Sequence, residues 1–340
     1  MKRPTQKDVA QKAGVSRATV SLIINNQNGN VRISQETRER VQAAIDELGY
    51  QPDMAAQTLR TSRTNLLALL IPDITNPFYP ALIRGAQSIT EQQDYQLLIY
   101  DSDDSPIREQ SFVDTILRRR VDGVILVSFR LPADEYKKLL RAGIKVVSIG
   151  QVSTQEDIDI SKTIQDHSTA IKQLINHLVK KGHQKIAHIA GSQDTPPGQL
   201  RLASYKKALE EENIPYDPKL IRIGNFRQEG IADIVYSLMN DLPKASRPTA
   251  IFAANDVMAI ETIYSLTKLG IRVPEDVAVC GFDDIPQSSW IMPSLTTVSQ
   301  NPYEHGKQAA KLLLEQLQTP ESEPAKVVDV PFQLVFREST

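Results

Sequence analysis

The sequence predicts an all-α head of the helix-turn-helix type, followed by an α/β body of two doubly wound parallel-sheet lobes. Two short helical patterns separated by a tight turn lie near the start of the chain. From residue 65 onwards, short apolar runs alternate with amphipathic helical segments, which is typical of parallel sheets covered by helices on both faces. These runs supply eight candidate strands, too many for one small sheet, and we therefore expect two lobes.

Charge is unevenly distributed along the 340 residues, which divide by pattern into a head over 1–49, a hinge or linker over 50–64 and a body over 65–340. Residues 1–64 carry ten basic and six acidic side chains, whereas the rest of the chain carries 29 basic and 35 acidic ones. A small basic head on an acidic body suggests that the head contacts a polyanion. The charge alone does not decide this, because a solvated surface can have the same composition.

Composition excludes several classes of protein. The single cysteine, Cys280, can form neither an internal disulfide nor a cysteine metal cluster. The longest apolar run, Leu66–Ile71, is too short to cross a bilayer. The charged N-terminus is not followed by the apolar stretch of a signal peptide. We therefore expect a cytoplasmic protein with no membrane contact.

Residues 5–25 have the spacing of a helix-turn-helix. Thr5 is placed to cap a first helix, Gly14 to end it in a left-handed conformation, and Ser16 to cap a second helix. The small side chain of Ala10 allows the two helices to cross closely over a three-residue turn. The alternative is an ordinary short helical hairpin.

The outer face of the second helix would enter the major groove of DNA. Arg17 can contact the O6 and N7 atoms of guanine, or else a phosphate, while Ala18 and Leu22 offer apolar contact to thymine methyl groups. The side chains that we expect to contact DNA in the head are Thr5, Ser16, Arg17, Ala18, Thr19, Ser21, Leu22 and Asn25.

A third helix and a hinge complete the N-terminal part. Residues 34–48 have the apolar stripe of a helix, and Gly49 ends it. Pro52 then breaks the chain, and a short helix is predicted from Met54 to about Arg60. This segment has no large core nearby in sequence, so its helicity is expected to depend on a partner.

DVAQKAGVSRATVS and YQPDMAAQTLRTSRT resemble the head and hinge of LacI/GalR transcriptional regulators. The resemblance implies a homodimer on a near-palindromic DNA operator, with repression favoured because most of the family represses. It also implies a hinge helix that orders on DNA, with Ala56 and Leu59 at the minor groove and Leu59 inserted between base pairs. Two positions differ from the family pattern, because Leu22 and Gln57 stand where arginine is usual.

In the body, polar residues follow the carboxyl ends of the candidate strands, where open α/β sheets bind ligands. The strands are Asn65–Ile71, Tyr95–Tyr100, Gly123–Ser128, Lys145–Ile149, Lys185–Ala190, Leu220–Ile223, Ala250–Ala254 and Val277–Cys280. Polar groups and aromatic side chains that converge from two lobes indicate a sugar-like or nucleoside-like site. Each polar residue, taken alone, could instead cap the helix that follows it.

The remainder of the chain resembles the same family, for example in IPDITNPFYPALIRGAQ, FAANDVMAI and GIRVPEDVAVCGFDD. The family's body is similar to a periplasmic sugar-binding protein with three crossovers between lobes. This implies one lobe at about 65–160 and 297–322, and another at about 161–293 and 325–340. The implied effector-binding residues are Asp73, Phe78, Arg201, Phe226, Asn255 and Asp283, with Trp290 as a candidate for either the pocket or the core.

By this resemblance, Arg201 and Asp283 would bind a pair of vicinal hydroxyls, and Phe78 and Phe226 would stack on apolar ring faces. Gly150 and Gln151 stand where the family often has Asp and Arg, which leaves the identity of the effector open.

Motifs of catalysis or metal binding are absent from the sequence, so we expect neither an enzyme nor a cofactor or metal ion. For the scattered histidines, among them His167 and His177, we expect ordinary surface or helix-end roles. The alternative to a DNA-binding regulator controlled by a carbohydrate-like effector is a stand-alone ligand-binding protein for transport or sensing. The predicted head and hinge favour the regulator, because a transport protein needs a signal peptide and no helix-turn-helix.

Overall fold

The computed structural model describes residues 4–24, 33–51, 63–152, 158–319 and 324–340. The chain forms two compact units, Met1–Thr64 and Asn65–Thr340. Asn25 and the predicted hinge helix with Ala56 and Leu59 lie outside the described residues. Within the described residues, no helix is both long enough and apolar enough to cross a membrane.

The described part of the head contains three helices, α1 (Gln6–Ala13), α2 (Arg17–Ile24) and α3 (Gln35–Leu48). Thr5 caps α1 in a reciprocal capping box with Asp8, and Gly14 ends the helix at a φ of 65°. The Ser16 hydroxyl accepts a hydrogen bond from the Thr19 amide at 3.0 Å and so caps α2. The core of the head consists of Val9, Ala10, Ala13, Val20, Val41, Ala44 and Tyr50.

The first lobe of the body has one parallel sheet. Among the described residues it comprises β1 (Leu66–Ile71), β2 (Gln96–Asp101), β3 (Gly123–Leu126), β4 (Lys145–Ile149), β5 (Ser161–Ile164) and β11 (Val327–Asp329), in the order β11-β5-β4-β3-β1-β2. The helices of this lobe are α4 (Phe78–Thr90), α5 (Pro106–Arg119), α6 (Ala133–Arg141) and α11 (Pro302–Gln318). Apolar clusters cover both faces of the sheet, as expected for buried parallel strands.

The second lobe has a parallel sheet and a small antiparallel pair. In the part of the chain that is described, the parallel sheet runs β7-β6-β8-β9, formed by β6 (Ile186–Ala190), β7 (Ile221–Ile223), β8 (Ala250–Ala253) and β9 (Ala278–Cys280). Strand β10 (Thr297–Ser299) pairs with β12 (Gln333–Val335). The helices are α7 (His167–Lys180), α8 (Pro196–Glu211), α9 (Ile231–Tyr236) and α10 (Asp256–Lys268).

The lobe boundaries implied by the resemblance need correction by a few residues. Strands β5 and β11 pair in the sheet of the first lobe, not the second. Strand β10 belongs to the second lobe, because Val298 packs in its core and Thr296 bridges to Cys280. The described chain therefore crosses between lobes near residues 165, 300 and 330, since each segment completes its strand pairing before it crosses.

Two glycines allow helices α4 and α11 to pack backbone against backbone in the first lobe. A Cβ atom on Gly85 would lie 1.9 Å from the Tyr303 carbonyl oxygen, and one on Gly306 would lie 1.9 Å from the Leu82 carbonyl oxygen. No larger residue fits either position without moving a helix. This close packing fixes the N-terminal ends of both helices, which carry Phe78 and His305.

Candidate functional site

A cavity of about 920 Å³, including its opening to solvent, lies between the two lobes of the body. Its walls come from both lobes and from the crossovers, as expected for a ligand site at the carboxyl ends of parallel strands. Of the residues expected to bind an effector, the structure brings five together here, namely Phe78, Arg201, Phe226, Asn255 and Asp283.

Arg201 and Asp283 form a buried pair in the wall of the second lobe. Nη1 of Arg201, on helix α8, lies 3.8 Å from Oδ1 of Asp283 and donates a hydrogen bond to the Ala254 carbonyl. Its guanidinium carbon lies 4.2 Å from the centre of the Phe282 ring. Nε of Arg201 is buried and has no hydrogen-bond partner among the described residues, so it remains open to a ligand acceptor.

The environment of Asp283 combines burial with a nearby positive charge. The pKa of Asp283 is raised to about 8, chiefly by burial and further by Asp256, while Arg201 and a hydrogen bond from Gln300 act in the opposite direction. Its φ of 137° lies in a region that side-chain-bearing residues rarely adopt, and backbone strain of this kind is common at ligand sites. The pair therefore presents a guanidinium donor and a carboxyl group side by side.

Aromatic rings form much of the remaining surface. Phe78 contacts Tyr79 edge to face, with ring centres 5.3 Å apart, at the start of α4. Phe226 has a φ of 66°, and its ring covers Gly191, on which a Cβ atom would lie 1.9 Å from the ring. Asn255 donates to the Phe226 carbonyl at 2.8 Å and accepts from the Met258 amide at 3.0 Å. Asn255 thus lines the cavity while its amide caps α10 and holds the Phe226 backbone.

On the head, the predicted DNA-contacting face of α2 is exposed at Arg17 and Ala18, while Val20 is buried on the opposite side. The hydroxyls of Ser16 and Thr19 lie 2.9 Å apart, and Thr5 is engaged with Asp8. Ser21 and Leu22 are half-buried. The amphipathic pattern predicted for this helix therefore matches its burial.

Comparison with known proteins identifies the family. Residues 5–53 match the family model of bacterial regulatory proteins, lacI family, and residues 175–340 match that of the periplasmic binding protein-like domain. The chain is 35% identical to the transcriptional repressor CytR of Escherichia coli over 92% of its length and 90% of CytR. It belongs to the LacI family. It is therefore a DNA-binding transcriptional regulator, and the alternative of a stand-alone ligand-binding protein is not supported.

Other comparisons extend over the whole chain of this LacI-family regulator. It is 32% identical to catabolite control protein A of Priestia megaterium, over 98% of both proteins. The structure of the lac repressor dimer bound to operator and the anti-inducer ONPF matches with a TM-score of 0.86 and 28% identity, over 99% of each chain. A complex of the regulator CelR with cellobiose matches with a TM-score of 0.73 and 31% identity, over 99% of this chain and 100% of CelR.

Two residues of this LacI-family protein lie elsewhere than the sequence implied. Asp73 is not among the described residues that line the cavity. Its carboxylate instead lies 3.1 Å from Nε of Arg227 and accepts hydrogen bonds from Thr75. Trp290 was expected in the pocket or the core, but it is 75% exposed, close to Met292, which is 87% exposed. The single tryptophan therefore belongs to the outer surface of the second lobe.

Sequence reasoning also missed polar residues from the crossovers and from helix α11. Gln165, Gln300 and His305 line the cavity, together with His167, which was expected on the surface or at a helix end. His167 does begin α7, yet its ring lies 5.0 Å from that of Phe282 and burial lowers its pKa to about 3. Gln165 and His167 lie in a short polar segment that gives no local signal of burial.

The cavity of this LacI-family regulator is lined by one basic and one acidic side chain among the described residues. These are Arg201 and Asp283, which lie 3.8 Å apart and face each other. Burial lowers the pKa of His305 to about 4, so His305 and His167 are neutral near pH 7. Gly150 and Gln151, which replace the Asp and Arg common in the family, line the same cavity. The site is therefore suited to an uncharged ligand.

Proposed function

We propose that this regulator represses transcription in the cytoplasm as a homodimer on a near-palindromic operator, and that an uncharged polyhydroxylated molecule in the interlobe cavity controls its operator affinity. The observation that carries the effector part is the buried Arg201–Asp283 pair in an otherwise uncharged, aromatic-lined cavity. The relatives CytR, a repressor, and the lac repressor dimer on operator support the DNA part. No cofactor or catalytic step is needed.

The pair is suited to vicinal hydroxyls. A hydroxyl both donates and accepts, so one ligand hydroxyl can donate to Asp283 while its neighbour accepts from Nε of Arg201. Phe78 and Phe226 supply apolar surfaces for the C–H faces of a sugar ring or for a nucleobase. Sugars and nucleosides share this diol chemistry, and cellobiose is the ligand in the CelR complex.

Phosphorylated ligands are disfavoured by the same charges. A phosphate group carries about −1.5 to −2 charges near pH 7. Among the described residues that line the cavity, the cation is Arg201, and it is already paired with Asp283. A buried phosphate would therefore keep uncompensated negative charge, at a large cost in desolvation.

At the DNA, Arg17 contacts a base edge in the major groove, and Ala18 and Leu22 pack on thymine methyl groups. The hydroxyls and amides of Thr5, Ser16, Thr19, Ser21 and Asn25 hydrogen-bond phosphates. The hinge residues Ala56 and Leu59, which lie outside the described residues, contact the minor groove.

A thermal-shift panel tests the effector class. Ribose, glucose, cellobiose, adenosine and cytidine are compared with ribose 5-phosphate, glucose 6-phosphate and the nucleoside monophosphates. A ligand at about 100 times its Kd stabilises the protein by about 2.7 kcal/mol. Asp283→Asn and Arg201→Lys should abolish the shift and retain operator binding. Arg272→Lys is the control, because Arg272 pairs with Asp276 on the surface of the same lobe.

Two results would contradict the proposal. A larger shift with a phosphorylated compound than with its unphosphorylated form would reject the uncharged class. An unchanged shift in both cavity variants would remove the Arg201–Asp283 pair from the site.

A further inference from the structure

The Gln165 side chain joins the three crossovers between the lobes. Gln165 directly follows β5, in the first crossover. Its Nε2 donates to the carbonyl oxygen of Gln300 at 3.2 Å, in the second crossover, and to that of Val330 at 3.1 Å, in the third. Rotation of one lobe against the other must change backbone angles in these segments, because they connect the lobes. One amide group therefore restrains all three.

The same amide presents an unused acceptor at the ligand cavity. Gln165 lines the cavity, and its Oε1 is buried without a hydrogen-bond partner among the described residues. The opposite amide orientation would set Oε1 against two carbonyl oxygens, so the hydrogen-bond network fixes the orientation with Oε1 free. A buried, unpaired carbonyl costs about 1–3 kcal/mol. A ligand that donates to Oε1 removes this cost.

The second crossover also connects Gln165 to the charged pair. The backbone carbonyl of Gln300 accepts from Gln165, and the Gln300 side chain donates to Asp283. Two residues after Gln165, Nδ1 of His167 is likewise buried in the cavity wall without a partner among the described residues. The unpaired acceptor Oε1 of Gln165 thus lies in the same site as the unpaired donor Nε of Arg201.

We propose that Gln165, in the first crossover, binds the effector directly. Its Oε1 accepts a hydrogen bond from a ligand O–H or N–H, while its Nε2 holds the three crossovers together. This rests on the proposed effector function of the cavity. A hydrogen bond at Oε1 polarises the amide and strengthens the bonds that Nε2 donates. Ligand binding therefore stiffens the crossovers, and the ligand group at Gln165 determines specificity.

Hydrogen exchange of the ligand-free protein tests the restraint. Gln165→Met keeps the length of the side chain and removes both polar atoms. Gln165→Glu keeps an acceptor and loses the donor. The Val330 amide, which donates to the Ile164 carbonyl at 2.9 Å, reports on opening of the crossovers. We expect both variants to exchange it about five- to thirtyfold faster, whereas Gln110→Met, at an exposed position in the first lobe, leaves it unchanged. Unchanged exchange in both Gln165 variants would overturn the restraint.

Calorimetry with ribose, adenosine and cytidine, and with singly deoxygenated forms of each, tests the contact. For one hydroxyl, removal should weaken binding to the wild type about five- to thirtyfold and have little effect on Gln165→Met. If a parent compound binds, and each deoxygenation lowers the affinity by the same factor in the wild type and in Gln165→Met, the contact is overturned while the proposed function stands. If the wild type binds none of the unphosphorylated compounds of the thermal-shift panel, the proposed effector class is wrong, and the ligand part of this inference with it.

Discussion

Arg227 of the second lobe lies 3.1 Å from Asp73 of the first lobe, and its Nη2 donates to Asp103 at 2.6 Å. The reciprocal arrangement is formed by Arg130 of the first lobe, whose Nη2 lies 2.9 Å from Asp194 of the second. Each lobe thus contributes an arginine that forms an ion pair with an aspartate of the opposite lobe, beside the cavity. Asp73, which the sequence assigned to the ligand, instead connects the lobes.

Arg227→Gln should weaken effector binding about two- to fivefold. The ion pairs require this arrangement of the lobes around the ligand, and each solvent-exposed pair has only a small effect on it. Added salt should lower the wild-type affinity more than that of the variant, because salt screens these pairs. Calorimetry at low and high salt, with the first ligand that the thermal-shift panel finds, measures both effects. If Arg272→Gln, the control within one lobe, shows the same loss, interlobe ion pairs are not the cause.

Gly191→Ala should lower effector affinity by displacing the Phe226 ring. A Cβ at this position would lie 1.9 Å from the ring, so the ring must move out of the cavity wall. Phe226→Leu removes the ring, and we expect about a tenfold loss of affinity from either single variant. The double variant should lose little more than Phe226→Leu alone, because the clash is then absent. Fully additive losses would show that Gly191 acts independently of Phe226.

Much of the fold could be predicted from apolar runs. The eight candidate strands are present, with ends that differ by at most two residues, because a buried parallel strand is a short, nearly continuous apolar run. The four strands that were missed, β5 and β10 to β12, are three or four residues long and contain polar or exposed residues. Strand β5 pairs with β11, which lies more than 100 residues away in the chain. The local sequence pattern does not encode such a pairing.

The site was predictable where a residue follows a predicted strand, as Asn255 does, or belongs to a predicted helix, as Arg201 does. It was not predictable where burial is created by the crossovers. Gln165 and His167 stand in a polar segment that reads as a surface loop, and only the meeting of three chain segments places them in the cavity wall. Trp290 shows the opposite case. A large aromatic side chain was expected to be buried in the pocket or the core, but it is exposed.

Asp256 should make the stability of the body depend on pH. Its carboxylate is buried and accepts from the Ile285 amide at 3.0 Å and the Ser288 hydroxyl at 2.7 Å, with a third bond from Thr297. Burial raises the pKa of Asp256 to about 6. The folded state therefore holds this proton at pH values where the unfolded state, with an ordinary pKa, has lost it.

The sign follows from this difference in bound protons. As pH rises from about 4 to about 6, the contribution of Asp256 to the free energy of unfolding should fall by about 3 kcal/mol and then stay level. Asp256→Asn removes this contribution. The free energy of unfolding of the wild type, minus that of the variant, should therefore fall as pH rises over that range. Urea unfolding followed by circular dichroism, at one protein concentration, measures it. A pH-independent difference would mean that Asp256 titrates at its ordinary pKa.

Arg17→Ala should weaken binding to the preferred operator by about 1–3 kcal/mol per half-site and relax the preference at one base pair. Arg17 is exposed in the first turn of α2, the part of a recognition helix that lies nearest to base edges. Arg40→Ala, at an exposed position on α3, is the matched control and should affect all DNA sequences equally through charge alone. Binding to a set of operators with every base substituted in turn, measured at two salt concentrations, separates the two behaviours. Should Arg17→Ala weaken all sequences by one factor and reduce the salt dependence as Arg40→Ala does, Arg17 contacts a phosphate and not a base.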